Sequence, residues 1–225
     1  MKYIIFDTET TGLRKMAPAD WDKCCSLNYE GDSVIEFGAV LVREDASIVK
    51  AVCLFNDCIT AGGNPKAMSV NGLSLQEIRR TLSGVTLERN LATFFPEFFD
   101  KDVCYLGWNT PYDLALVSQT IRNYRVMPRV PQHMELRGPK VGPCFVDVCD
   151  FYNTIAGGKK RRQRLTEASS RFATDIAEIF SGCSRSLITN SRSLFEQNEG
   201  GCHSALYDAV ATYVLWKERV WPIWI

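Results

Sequence analysis

The chain predicts an α/β domain in which helices cover a sheet of five strands. Short apolar runs at 2–7, 33–42, 48–55, 103–108 and 144–148 have strand length and end in turn-forming or polar residues. Segments between and after the later runs carry apolar residues at helical spacing. No repeat or linker divides the 225 residues, so 1–225 is read as one domain.

The first strand runs through Y-I-I-F-D into T-E-T-T-G-L, where Gly12 marks a turn. Alternate strand residues point the same way, so Asp7 and Glu9 project from one face. A polar connection over 14–32, with Pro18, Trp21 and Cys24-Cys25, is longer than loops that merely join elements. The second strand, 33–42, carries Glu36, read as a strand-end charge facing solvent; the third is 48–55. Ser74 to Glu77 matches a capping box and starts a short helix. Leu87, Leu91, Phe94, Phe95, Phe98 and Phe99 predict one packed helix over 87–99. The strand V-C-Y-L-G-W (103–108) leads into a helix over 111–125, and C-F-V-D-V (144–148) is the fifth strand. A basic loop occupies 157–164, a helix runs from Leu165 to Phe180, and the Ser-, Gly- and Asn-rich stretch 181–202 reads as a surface loop. The last helix begins near His203, with Leu206, Ala209, Val210, Tyr213 and Val214 on one face.

Composition, with 46% apolar and 23% charged residues, is that of a soluble globular protein. Lys plus Arg equals Asp plus Glu at 26 each, so no net field draws the chain to a polyanion. Binding to nucleic acid must then rest on a local basic patch or on cations touching phosphate. No signal peptide and no membrane-length apolar stretch is visible. Nine cysteines, an odd number without framework spacing, suit free thiols in a reducing cytoplasm. Cys24, Cys25, Cys53 and Cys58 are a candidate zinc group, weakened by the lack of any C-x-x-C pair among them.

The chemistry lies in four carboxylates from three distant segments: Asp7 and Glu9, Asp113, and Asp208 with His203 five residues ahead of it. Acids gathered together repel one another and lose hydration, which a bound cation offsets. Oxygen ligands suit hard divalent ions such as magnesium or manganese. On one continuous helix His203 and Asp208 would stand about 140° apart, so the histidine belongs on the turn before the helix. A histidine titrates near neutrality, which fits a general base that takes a proton from an attacking water.

F-D-T-E-T-T-G-L (6–13), G-W-N-T-P-Y-D (107–113) and H-S-A-L-Y-D-A (203–209) resemble, in order, the three motifs of the DEDD family of 3′–5′ exonucleases, in its histidine-bearing (DEDDh) branch. The epsilon proofreading subunit of bacterial DNA polymerase, RNase T and oligoribonuclease are members. The resemblance implies a ribonuclease H-like exonuclease fold, a mixed five-stranded sheet flanked by helices, with the second strand antiparallel to its neighbours. It implies hydrolysis from a DNA 3′ end, single-stranded or frayed, with release of nucleoside 5′-monophosphates and two Mg2+ or Mn2+ ions. RNA 3′-end trimming is the alternative within that class, and a non-catalytic nucleic-acid-binding scaffold is the alternative outside it.

Asp7 is assigned as the ligand shared by both ions, with Glu9, Asp113 and Asp208 completing the shells and His203 as base. Thr8, Thr10 and Gly12 stand where backbone meets the terminal nucleotide; by resemblance Leu13 wedges against its base and Asn109 shapes the space around it. Lys159, Lys160 and Arg161, with Arg162 and Arg164, are the candidate phosphate contacts. Trp108 either stacks on a base or lies buried, and Asp147 and His133 rank below the site residues. Two features depart from the family pattern: the length of 14–32, and Asn71 where a histidine is common. Expected partners are a DNA or RNA 3′ end, a polymerase or replication protein, and no membrane. The apolar W-P-I-W-I end either packs over the sheet edge or forms a homodimer contact.

Overall fold

The computed structural model describes residues 2–12, 32–57, 72–100, 102–122, 145–155, 163–198 and 204–224. Expectations for Leu13, Cys24, Cys25, Cys58, Asn71, His133, Lys159, Lys160, Arg161, Arg162, His203 and the body of the 14–32 connection fall outside the described residues.

Five strands form where apolar runs predict them: β1 (Lys2–Thr10), β2 (Val34–Val42), β3 (Ile48–Phe55), β4 (Val103–Gly107) and β5 (Phe145–Asp147). A sixth, β6 (Ile188–Thr189), extends the sheet to the order β5-β4-β1-β2-β3-β6. β2 is antiparallel to both β1 and β3. The pairs β1–β4, β4–β5 and β3–β6 are parallel. The sheet is therefore mixed, with the antiparallel second strand that the resemblance implies, and it has six strands instead of five. Two residues are too few to show a period, which is why β6 is invisible to hydrophobic patterning. The side chain of Asn190 ties it in, accepting from Phe55 N and donating to Phe55 O, both at 2.8 Å.

Strand alternation sorts the core into two layers. Ile4 and Phe6 of β1 join Phe37, Leu91, Phe95, Phe98 and Leu116 on one side. Ile5 joins Val40, Leu206, Val210 and Trp216 on the other. In the first layer Phe6 stacks on Phe37 with centroids 5.5 Å apart, and Phe98 meets Phe37 edge-on at 5.4 Å. Each fully buried ring contributes about 1.5–3 kcal/mol by burial. The aromatic segment is thus core, as its spacing predicts.

The helices are α1 (Leu75–Leu82), α2 (Leu87–Phe94), α3 (Thr110–Arg122), α4 (Val148–Ile155), α5 (Leu165–Ser169), α6 (Ala173–Arg185), α7 (Arg192–Asn198), α8 (Ala205–Leu215) and α9 (Trp221–Trp224). Ser74 caps α1 by accepting from Glu77 N at 3.3 Å, the half of the capping box seen here. The helix expected over 87–99 stops at Phe94 and resumes as a 3-10 turn over Pro96–Phe99. Pro96 lacks an N–H and disfavours helical backbone at Phe95. The helix expected from Leu165 to Phe180 is split by a 3-10 turn at Ser170–Phe172, where Ser170 Oγ bonds Glu167 O at 3.0 Å and competes with the helical ladder.

The expected surface loop over 181–202 is largely structured: α6 continues to Arg185, and α7 buries Leu194 and Phe195. Its start is fixed by Ser191 Oγ, which accepts from Leu194 N at 3.4 Å. α4 is unanticipated; Asp147 starts it by accepting from Cys149 N at 3.1 Å. After α8 comes one π-helical turn, Trp216–Val220, then α9. At the chain's end Trp221 packs on Trp216 with centroids 6.2 Å apart, while Ile223 stays exposed. No helix among the described residues is long and apolar enough to cross a membrane.

Candidate metal centre

β1 runs to Thr10, three residues beyond its apolar stretch, so Asp7, Thr8 and Glu9 are all strand residues. Their side chains alternate: Asp7 and Glu9 share the face of Ile5, and Thr8 shares that of Phe6. α8 lies on the Asp7 side, packed on β1 and β2. It begins at Ser204, whose hydroxyl accepts from Tyr207 N at 3.2 Å. One turn later comes Asp208, and Asp7, Glu9 and Asp208 each offer an oxygen within 4.8 Å of the other two.

Close packing of α8 on the sheet depends on Gly38, which pairs with Asp7 across the β1–β2 ladder. A Cβ there would lie 2.1 Å from Leu206 N and 2.2 Å from the carbonyl carbon of Ala205. Only glycine lets the helix sit near enough for Asp208 to meet β1.

Asp113 comes from the other layer. α3 starts after Asn109, whose carbonyl accepts from Tyr112 N at 2.9 Å and Asp113 N at 3.4 Å. Asp113 is buried, and its Oδ1 accepts from Thr8 Oγ1 at 2.7 Å. It is not one of the three acids whose oxygens lie within 4.8 Å of one another, yet among the neighbouring charges it is the one that acts most on Asp7.

The electrostatics are those of acids crowded out of water. Burial pushes Asp7 well above the ordinary carboxyl range, and the charges of Asp113, Asp208, Glu9 and Glu36 push it further. Burial, then Glu36, Asp208 and Asp113, push Glu9 up to about 9. Burial raises Asp208 to about 7. Burial also raises Asp113 to about 7, against the bonds donated by Thr8, which lower it. Two unit charges at the trio's spacing repel by about 3–4 kcal/mol at an effective dielectric near 20. Three ionised groups cannot share this space cheaply without a cation. Oxygen donors, close spacing and uncompensated charge fit a hard divalent ion.

The remaining predicted site residues have defined positions where they are described. Thr10 Oγ1 donates to Gly12 O at 2.9 Å. Thr11 N donates to Ser33 O at 2.9 Å, and Ser33 N returns a bond to Thr11 Oγ1 at 2.8 Å. These bonds stitch the end of β1 to the chain entering β2. The space beside Gly12 is filled by Asp32, whose Cγ lies 2.0 Å from where a Cβ would stand. Asn109 is half-buried at the start of α3. Trp108 is buried against Tyr152 with centroids 5.8 Å apart. Arg164 is exposed at the start of α5. Cys53 is buried within the sheet, beside Glu36.

Glu36 corrects an expectation. It is fully buried, not solvent-facing, and stands opposite Glu9 in the ladder. Burial raises it to about 7, against bonds donated by Cys53, Ala205 and Asn198. The signal was available: apolar residues flank Glu36 on both strand faces, a run typical of a strand covered on both sides and leaving no exit to water.

No family model matches the chain, and no curated protein matches it. Solved structures do. The fold is similar to that of E. coli exonuclease I in complex with a dA16 oligonucleotide, at 15% identity and TM-score 0.55, covering 97% of this chain and 41% of that one. An exonuclease I from Methylocaldum szegediense gives 18% identity and TM-score 0.55 with the same coverages. The nuclease domain of 3′hExo, a DEDDh family member, bound to rAMP, gives 13% identity and TM-score 0.53, covering 95% of this chain and 90% of that one. The chain thus spans about two fifths of the exonuclease I chains it matches. These likenesses establish the fold, an α/β architecture with a mixed sheet flanked by helices that is similar to that of these exonuclease structures.

Proposed function

We propose that the chain is a metal-dependent 3′–5′ exonuclease that hydrolyses the terminal phosphodiester of a nucleic-acid strand and releases 5′-monophosphates. The observation that carries this is the meeting of Asp7, Glu9 and Asp208 from β1 and α8, with Asp113 held alongside by Thr8. Asp7 and Glu9 would hold a divalent ion with Asp208, and Asp7 with Asp113 would hold a second. Two such ions supply a nucleophile at neutral pH and screen the charge that builds on the phosphate and the departing oxygen. The chain's own residues fix that geometry: β1 spaces two acids on one face, α8 brings the third, and Thr8 orients the fourth. His203, five residues before Asp208, is assigned the general-base role, taking the proton from the attacking water.

A DNA 3′ end is the first choice of substrate, since E. coli exonuclease I is described in complex with dA16. RNA is the second, supported by 3′hExo, whose nuclease domain is described bound to rAMP and is covered over nine tenths of its length. The test uses end-labelled single-stranded DNA, duplex DNA and RNA with Mg2+ or Mn2+, with and without chelator. Stepwise loss of 3′ nucleotides that stops with chelator is expected. Asp7→Ala should abolish it, about a thousandfold or more for a ligand to both ions. Equal degradation by the Asp7→Ala protein refutes the assignment, and cuts within a circular strand turn it toward an endonuclease.

A further inference from the structure

Glu36 is a fully buried acid that the proposed chemistry does not use. Its two oxygens take three bonds. Oε1 accepts from Ala205 N at 3.1 Å and from Cys53 Sγ at 3.3 Å, and Oε2 accepts from Asn198 Nδ2 at 2.8 Å. All three partners are donors, and an ionised carboxylate, with acceptors only, matches them. Ala205 is the first residue of α8 and Asn198 the last of α7. One side chain on β2 thus grips the end of one helix and the start of the next. The positive end of the α8 dipole points at it, which favours an anion there.

The bonded residues lead straight to the acid trio. Ala205 precedes Asp208 by three residues, less than one helical turn, and Asp208 N donates to Ser204 O at 3.0 Å. Glu36 and Gly38 occupy the same face of β2, opposite Glu9 and Asp7. Gly38 gives α8 room to approach, and Glu36 fixes where it begins. A tether for a helix start needs no acid; a serine cap serves α8 already. Burying a fifth carboxylate against Glu9 raises the repulsion in the centre, a cost that a purely structural role does not require.

We infer that Glu36 is a positioning residue for the metal centre: by holding Ala205 and Asn198 it fixes the first turn of α8, and so sets Asp208 against Asp7 and Glu9. This rests on the nuclease reading above. Glutamine can keep the tether, since its oxygen accepts from Ala205 and Cys53 while its amide donates to a flipped Asn198 side chain. Alanine cannot.

The test compares wild type, Glu36→Gln and Glu36→Ala in the full chain, by calorimetric titration of the metal-free protein with manganese and by steady-state cleavage. Supporting groups behind metal ligands are worth about 10–100-fold, so Glu36→Ala should lose that much in manganese affinity and in kcat, with KM nearly constant, while Glu36→Gln stays within about threefold of wild type. Wild-type affinity and kcat in Glu36→Ala overturn the inference. Equal loss in both variants also overturns it, because the negative charge itself would then be what the ion needs. If Glu36→Ala does not fold, Asn198→Ala, at a half-buried position, carries the test: manganese affinity should fall, and unchanged affinity overturns the inference. A wild-type chain that neither binds manganese nor cleaves any strand would instead refute the nuclease reading.

Discussion

Thr8 stands between two proposed ligands in sequence yet serves a third, because its side chain leaves β1 on the opposite face. Its hydroxyl donates to an ionised Asp113 and so holds that carboxyl below where burial alone would put it. Thr8→Val keeps shape and removes the donor. Hydrogen bonds to charged groups are worth about 1.5–3 kcal/mol, so urea unfolding of the metal-free variant at pH 9 should show a loss of that size. The loss should shrink toward pH 5, where Asp113 is protonated and the bond matters less; a pH-independent difference would contradict this role. The Thr8–Asp113 contact joins residues 105 apart in sequence, which no local pattern reports. Asp7 and Glu9 were legible as a pair because alternation along one strand is a local rule.

Among elements, the α8–β2 contact decides the geometry of the centre. Gly38→Ala drives a Cβ into the backbone of Ala205 and Leu206, where no rotamer change gives relief. Overpacking costs about 1–3 kcal/mol, and the displaced helix should carry Asp208 away and weaken manganese binding. Gly84→Ala is the contrast: its φ is +79° but nothing lies within 4 Å, so stability should fall and manganese affinity should not. Calorimetry on both variants separates strain from displacement. The same contact explains what was and was not readable. α8 was visible from Leu206, Ala209, Val210, Tyr213 and Val214, whose spacing marks its buried face. Its partner was not, since Glu36 and Gly38 acquire meaning only when the helix is laid over them. α7 and β6 were hidden in a polar stretch whose order comes from side-chain bonds of Ser191 and Asn190.

For the whole molecule, the raised acids make stability a function of pH. Asp113, Asp208 and Glu36 stand near 7 and Glu9 near 9 in the fold, above the ordinary 3.8 of aspartate and 4.5 of glutamate. Their protonated forms are favoured by folding, so that stabilisation is complete below about pH 4 and drains away as pH rises through 7 and then 9. Other groups oppose this at the acid extreme, so the fall in Tm of metal-free protein should be read between pH 6 and pH 9. Magnesium at about 100 times its Kd should return about 2.7 kcal/mol, or roughly 5–10 °C, at the alkaline end. A flat Tm profile with no magnesium effect would count against a metal centre. β1 pairs with β2 at both of its acids, Asp7 opposite Gly38 and Glu9 opposite Glu36, so that ladder holds their backbone in register. Acids held this close take up hydrogen ions in place of spreading, and a cation bound among them would turn those out. On the proposed reading, capture of metal would be, in the same stroke, a discharge of acid into the surrounding solution.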